Sequence, residues 1–182
     1  MGYVPKFIHL CPYKDVRYPF GLLWNYEYIR ECAKAIYITY KDEIKEGVTI
    51  ALVGRGLSGA MIAGGIITML HSINPSIKAC ILVVRKDSDL AHNGSLDGIT
   101  LLNNPKFIVV DDFIESGNTI RAILEKLDDY FGHSTPQLKY DMLCISNSID
   151  KDALKKNKCK NYKKWKNICS RFKYVVCYTK PD

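Results

Sequence analysis

Phe107-Ile108-Val109-Val110-Asp111-Asp112-Phe113-Ile114-Glu115-Ser116-Gly117-Asn118-Thr119 holds three kinds of local structure in thirteen residues. The first four are apolar and mostly β-branched, the length and character of a buried strand. Two adjacent carboxylates stand where that strand must end. A small polar turn from Glu115 to Thr119 follows, with Gly117 inside it. Then Ile120, Ile123, Leu124, Leu127 and Phe131 recur at helical spacing. Strand, polar turn and helix in this order are half of a βαβ unit. The turn leaves backbone N–H groups unpaired at the helix start, where an anion can bind. Ser116, Asn118 and Thr119 add side-chain donors, and Gly117 lets an anion approach the backbone. Asp111 and Asp112 can take sugar hydroxyls or a hydrated Mg²⁺. Phosphate, diol and metal recognition packed this closely suits a ribose 5-phosphate.

Upstream, Val48 to Val53 reads as a first core strand, running into Gly54-Arg55-Gly56-Leu57-Ser58-Gly59 and then a small-residue helix from Ala60 to Leu70. The glycines match Gly-x-Gly-x-x-Gly between a strand and a helix, which raises a dinucleotide-binding reading. Against it, a long segment precedes this strand, and the next one, Ala79 to Val84, ends in Arg85-Lys86 with no acid for a ribose. The alternative is a tight anion loop, with Arg55 as its charge and Gly54, Gly56 and Gly59 as sources of exposed N–H groups. Arg85 to Asn104 is polar and aperiodic, too long for a bare connection in a compact domain, and carries Lys86 and His92. His92 reads equally as a solvated loop histidine.

The Val109–Thr119 segment resembles the PRPP-binding motif of type I phosphoribosyltransferases: apolar strand, two acids, two apolar residues, then a Thr/Ser-Gly-x-Thr loop. The resemblance implies the fold, a mostly parallel twisted α/β sheet of about five strands with flanking helices and a small hood. It implies transfer of a 5-phosphoribosyl group from PRPP to a nucleobase with release of pyrophosphate, and Mg²⁺ as cofactor. Carried onto this chain, Asp111 and Asp112 hold the ribose hydroxyls and the metal. Ser116, Gly117, Asn118 and Thr119 hold the 5-phosphate. Gly54, Arg55 and Gly56 hold pyrophosphate, with Lys86 and His92 in the lid that closes over PRPP. Glu115 stands where the 6-oxopurine enzymes place the acid that acts on the base, and where many other members have Thr or Ala. The end of the chain, Tyr174-Val175-Val176-Cys177-Tyr178, is similar to the hypoxanthine-guanine enzymes, which makes Tyr174 the expected stacking partner of a purine; Cys177 replaces a Gly of that pattern. Orotate, adenine and 6-oxopurines all remain as bases, with purines favoured. A homodimer is expected.

The rest of the chain bounds these readings. A single domain is expected over residues 1–182, with a core of about 22–146 and the hood from 1–20 and 147–182. Met1 to Phe20 carries Pro5, Pro12 and Pro19 without a period and reads as an irregular arm. Leu23, Tyr26, Ile29, Ala33, Ile36, Tyr37, Tyr40 and Ile44 form a helical stripe closing near Gly47, with Tyr28, Arg30 and Lys34 off it. Strands are expected at Lys139–Ser146 and Arg171–Tyr178. Composition is that of a globular protein, 47% hydrophobic and 25% charged. No apolar run looks long enough to span a membrane and no signal-peptide layout opens the chain, so a cytoplasmic location is expected. The seven cysteines include no Cys-x-x-Cys pair, which argues against zinc or a disulfide framework. Cys80, Cys144 and Cys177 sit in apolar runs and read as core. The net charge of +7 is concentrated: Lys151 to Tyr174 holds ten Lys and Arg against the single acid Asp152. Tyr162, Trp165 and Phe172 interleave these charges. That pattern admits a second reading, a PRPP- or nucleotide-sensing regulator that binds nucleic acid. A solvated face over a buried aromatic stripe is the commoner meaning.

Overall fold

The computed structural model describes residues 5–10, 26–85, 96–98, 105–111, 117–131, 140–149 and 162–179. Their elements, in chain order, are β1 (Lys6–Leu10), α1 (Tyr26–Lys45), β2 (Ile50–Arg55), α2 (Gly56–Ile73), β3 (Ala79–Val84), β4 (Leu96–Asp97), β5 (Lys106–Val110), α3 (Asn118–Phe131), β6 (Tyr140–Ile149), α4 (Tyr162–Cys169) and β7 (Phe172–Thr179). All the strands join one sheet in the order β1-β7-β6-β5-β2-β3-β4. Every neighbouring pair is parallel except β3 with β4. The expected mostly parallel α/β sheet is therefore present, with seven strands instead of about five. The additional strands come from unexpected places. Residues 6–10, expected in an irregular arm, pair with β7 as an edge strand, and β7 itself belongs to the main sheet. The described parts of the segments expected to form a hood hold β1, the end of β6, α4 and β7.

Helices cover both faces. Residues of α1 and α2 pack with Ile50, Leu52, Ile108, Val110, Met142, Cys144 and Val176 on one side. Residues of α3 and α4 pack with Ala51, Val53, Phe107, Val109, Leu143 and Val175 on the other. Alternate residues of each central strand thus serve opposite cores, which is why these strands read as unbroken apolar runs.

Local chemistry sets the boundaries. α1 ends in a Schellman motif: Val48 N–H donates to Glu43 O at 3.0 Å and Gly47 N–H to Ile44 O at 3.0 Å, with Gly47 at φ +86. Val48, expected to open the strand, is consumed by that cap, so β2 begins at Ile50. Inside α1, Thr39 Oγ1 donates to Ala35 O at 2.6 Å and Tyr40 leaves helical geometry (φ −117, ψ 16). Tyr40 is buried, as its place on the stripe predicts, but the start of the stripe differs. Tyr28 is fully buried while Tyr26 is 59% exposed, the reverse of the periodicity reading.

α2 also corrects an expectation. It is long and apolar enough to cross a membrane, with a mean hydropathy of 1.4 over 18 residues. Ile, Leu, Met and Ala, with no Asp, Glu, Lys or Arg among them, keep that average high. In this fold α2 lies on the sheet, burying Ile62, Ala63, Ile66 and Leu70, and meets α1 where a Cβ on Gly65 would stand 2.8 Å from Ile29 Cδ1. Among the described cysteines, Cys32, Cys144, Cys169 and Cys177 are buried, while Cys80 is only partly buried.

Candidate functional site

Within the parallel part of the sheet the strand order reverses between β2 and β5. The chain runs outward from β2 to β3 on one side and from β5 to β6 and β7 on the other. At such a switch point the following helices leave to opposite faces, and a crevice opens beyond the carboxyl ends of the two strands. α2 leaves β2 toward one core and α3 leaves β5 toward the other.

Register brings the sequence-derived residues to this crevice. Val53 pairs with Val109. The register ends at that pair; two residues further on, Arg55 closes β2 and Asp111 follows β5, both at the carboxyl end of the sheet. Both follow the parity of Val53 and Val109 and so face the α3 side. Asp111 is only 6% exposed, and its N–H donates to Cys144 O at 3.1 Å, tying it to β6. A buried carboxylate at a strand end is a charge held where water is scarce.

The turn after β2 is tighter than the sequence suggests. Gly54 is not an exposed donor but a strand residue paired with Val83, and Arg55 pairs with Val84. No residue separates the strand from α2, which begins at Gly56 (φ +62) and not at Ala60. A Cβ at Gly54 would lie 2.5 Å from the Gly59 carbonyl carbon, and one at Gly59 would lie 2.8 Å from Gly54 Cα. These two glycines let the first turn of α2 sit directly on β2. The same turn reaches β5, because a Cβ on Gly59 would meet Val110 O at 3.9 Å. No acid occupies the first turn of α2. Its N–H groups therefore face the crevice as a compact positive end.

Across the crevice, Gly117 (φ +77) makes the left-handed turn into α3, and Arg121 N–H donates to Gly117 O at 3.0 Å. Gly117 is buried, Asn118 exposed and Thr119 half-buried, and no acid lies in this first turn either. Asn118 Oδ1 accepts from Arg121 Nη2 at 2.9 Å, which brings a guanidinium to the helix start. Sequence reading passed over Arg121. The signal was its position three residues after Asn118, since long helical side chains lean toward the N-terminus.

Asp112, Glu115, Ser116, Lys86 and His92 lie outside the described residues. Tyr174 does not join the site. It pairs with Met142, which pairs with Ile108, itself level with Leu52. That is three residues short of Asp111, about 10 Å along the strand. Tyr174 packs edge-on against Tyr40 with ring centroids 6.0 Å apart, in the α1 core. Alternation along β7 turns it into the layer under α1, where it is partly buried.

A second polar cluster lies at the opposite, amino edge of the sheet. Asp141, 7% exposed, accepts from Phe107 N–H at 3.0 Å and from Lys173 Nζ at 2.9 Å, with Lys106 Nζ at 3.9 Å. Nearby, Asp128 takes the Tyr140 hydroxyl and the Arg171 guanidinium. Burial first, and the Asp128 hydrogen bond second, push the Tyr140 phenol upward. The Tyr40 hydroxyl is also pushed upward, by burial and then by Asp141.

No family model matches the sequence, and comparison with curated protein sequences returns no match. Among solved structures, similarity is found to a hypoxanthine-guanine phosphoribosyltransferase from Bacillus anthracis, at 17% identity and a TM-score of 0.41 over 87% of this chain and 81% of that one. A hypoxanthine phosphoribosyltransferase from Trypanosoma cruzi, complexed with the product IMP, gives 16% identity and a TM-score of 0.44 over 85% of this chain and 68% of that one. Another structure of the Trypanosoma cruzi enzyme, from work on its C-terminal region and oligomeric state, gives 14% and 0.41 over 93% and 82%. At such identities the site has to be read from its own residues.

Proposed function

We propose that this chain is a phosphoribosyltransferase that moves a 5-phosphoribosyl group from PRPP to a purine base, in nucleotide salvage, and works as a homodimer. The observation that carries this reading is the crevice between β2 and β5. There Arg55 closes β2 and Asp111 follows β5, and the two helices that begin beyond these strands are free of acids in their first turns. PRPP has an anion at each end and a diol between them. The start of α3, with Gly117, Asn118 and Thr119, suits the 5-phosphate, and the start of α2, with Gly56 and Arg55, suits the pyrophosphate. Asp111 lies on the same edge of the sheet, where a carboxylate can accept from the ribose hydroxyls.

The chemistry needs cations at one end and carboxylates at the other. As the bond at C1 breaks, negative charge grows on the departing pyrophosphate and positive charge on the ribose. Arg55 and the α2 amides stabilise the first, and the buried Asp111 carboxylate stabilises the second. Asp111 and Asp112 would hold Mg²⁺, mostly through water, and that ion supplies charge neutralisation for pyrophosphate. The fit rests on a buried strand-end carboxylate, the kind of hard oxygen donor Mg²⁺ takes. Glu115 is proposed as the group that takes the proton from the purine imidazole nitrogen as that nitrogen attacks C1, help typically worth about 10²–10⁴-fold.

The test is pyrophosphate release from PRPP and Mg²⁺ with hypoxanthine, guanine, xanthine, adenine and orotate offered separately. Turnover of a 6-oxopurine, cut at least about tenfold by Glu115→Gln, is the expected result. Turnover of orotate alone would remove the purine assignment, and no turnover with any base would remove the enzyme reading.

A further inference from the structure

One helix face at the surface carries no charge. α2 runs from Gly56 to Ile73 without an Asp, Glu, Lys or Arg. Its inner side sets Ile62, Ala63, Ile66 and Leu70 on the sheet. Its outer side is a line of residues at steps of three and four: Leu57, Met61, Gly64, Thr68 and Ser72. Leu57 is 77% exposed and Met61 40%. Thr68 and Ser72 are exposed as well, yet their hydroxyls turn back onto the helix. Thr68 Oγ1 donates to Gly64 O and Ser72 Oγ to Thr68 O, each at 3.0 Å. This line therefore presents carbon and hydroxyls whose protons are already placed.

The order of side chains along the line is self-complementary. The midpoint of the helix falls between Gly64 and Gly65. Leu57 and Ser72 are equally far from it, and so are Met61 and Thr68. Two copies of α2 crossing antiparallel about that midpoint set each large side chain at the level of a small one, in both directions. A two-fold contact demands this reciprocity, because one patch serves both copies. Gly64 leaves the middle without a side chain, and antiparallel helices bring opposite dipole ends together. Charge selects the same face. The chain carries +7. The outer faces of the other described helices hold exposed charges: Lys34 and Lys41 on α1, Arg121 and Glu125 on α3, Lys166 on α4. Covering those with a second copy strips water from charges or sets like charges together. Among the described helices, α2 meets its own copy without that cost.

We infer that the outer face of α2 is the surface through which two copies of this chain pair, antiparallel about the helix midpoint. This rests on the homodimer reading proposed above and adds the surface to it. The helix is about 27 Å long, and a contact one helix wide is smaller than the roughly 800 Å² per partner of a tight complex. The pair therefore belongs to the class that separates on dilution.

The test is sedimentation equilibrium of the full chain across the micromolar range. The wild type should pass from monomer to dimer as concentration rises. Thr68→Arg puts a long charged side chain opposite Met61 of the second copy, at an exposed position where the fold tolerates it. It should melt like the wild type and stay monomeric throughout. Two cysteine substitutions fix the orientation. Met61→Cys and Thr68→Cys in one chain stand about 10 Å apart along the helix, too far to bond within that chain. Antiparallel pairing brings each beside the other in the second copy. The double variant should form a disulfide-linked dimer with oxidised glutathione, whereas either single variant, or Ile38→Cys on the exposed side of α1, should not. A dimer that Thr68→Arg leaves intact lies elsewhere and overturns the inference, while the homodimer reading stands. Links formed by the single variants, or none by the double one, overturn the antiparallel pairing. A wild type that is monomeric at every concentration overturns both the inference and the homodimer reading, and if that monomer sediments with neutral lipid vesicles, a membrane surface covers α2 instead.

Discussion

Two buried aspartates stand at opposite ends of the same sheet, Asp111 at the carboxyl edge and Asp141 at the amino edge. Their surroundings differ in kind. Asp141 is committed to the fold: it takes a backbone N–H from β5 and a lysine from β7, with a second lysine nearby. Asp111 enters the ladder through its backbone N–H and stands at the carboxyl end of β5, on the edge from which α2 and α3 begin. At the amino edge charge is neutralised inside the chain. At the carboxyl edge positive helix ends converge on a crevice, where an incoming anion completes the electrostatics. A parallel sheet imposes this asymmetry, because every connecting helix begins at the carboxyl ends. Stability should therefore concentrate at one edge and chemistry at the other.

The largest effect should come from Arg55→Ala. Turnover should fall about 10²–10³-fold, the usual cost of removing one positioned charge-stabilising donor. Stability should change by less than about 1 kcal/mol. Steady-state assays beside chemical denaturation would show it, and an equal loss in both would erase the distinction between the edges. The mirror experiment is Asp141→Ala. It leaves the Phe107 N–H buried without its acceptor and removes the carboxylate that Lys173 and Lys106 share, which should cost about 3 kcal/mol of unfolding free energy. Activity per folded molecule should stay near wild type, and a catalytic defect without destabilisation would break the comparison.

Gly54→Ala sharpens the comparison by striking both properties together. Its Cβ meets backbone atoms of Gly59, which cannot swing aside, so the first turn of α2 must lift from β2. A loss of about 1–3 kcal/mol is expected, with weaker pyrophosphate binding in the protein that still folds. Calorimetry showing unchanged affinity would mean that the α2 start plays no part in the site. The smallest effect concerns pH. The folded Tyr140 phenol is raised, by burial and then by Asp128. The unfolded chain titrates near about 10, so the stabilisation from the protonated phenol is complete below that pH and is lost as pH climbs above it. Tyr140→Phe should cost about 1 kcal/mol at neutral pH and flatten the alkaline slope of stability. The raised Tyr40 hydroxyl adds a slope of the same sign, so some slope remains in the variant. A slope identical to wild type would show that Tyr140 does not titrate with unfolding.

Much of the site was legible because it is local. Phe107 to Thr119 is one strand, one turn and the start of one helix, and Gly54 to Gly59 is another such unit. Chain neighbours there are also spatial neighbours. The same locality explains what could be misplaced. Tyr174 sits in a motif-like run, but the face it presents follows from alternation along β7 and from where α1 lies, and neither is visible from five residues. Gly54 looked like a donor because glycines in a polar turn usually are. Its pairing with Val83 and its contact with Gly59 turned it into a packing residue.

By itself the sequence determined the class of the fold, the central strands and the α3 stripe, because burial on both faces and helical spacing are written directly in the order of side chains. It also determined which residues could hold a phosphate, since that chemistry depends on residue type. Tertiary structure alone decided that residues 6–10 form an edge strand, that β7 lies inside the sheet, that Arg85 is clasped by Asp97, and that Asp141 pins the amino edge. Each joins residues distant in the chain through a register or a crossing. Such pairings are selected by the total packing of the sheet, to which no short stretch holds the key.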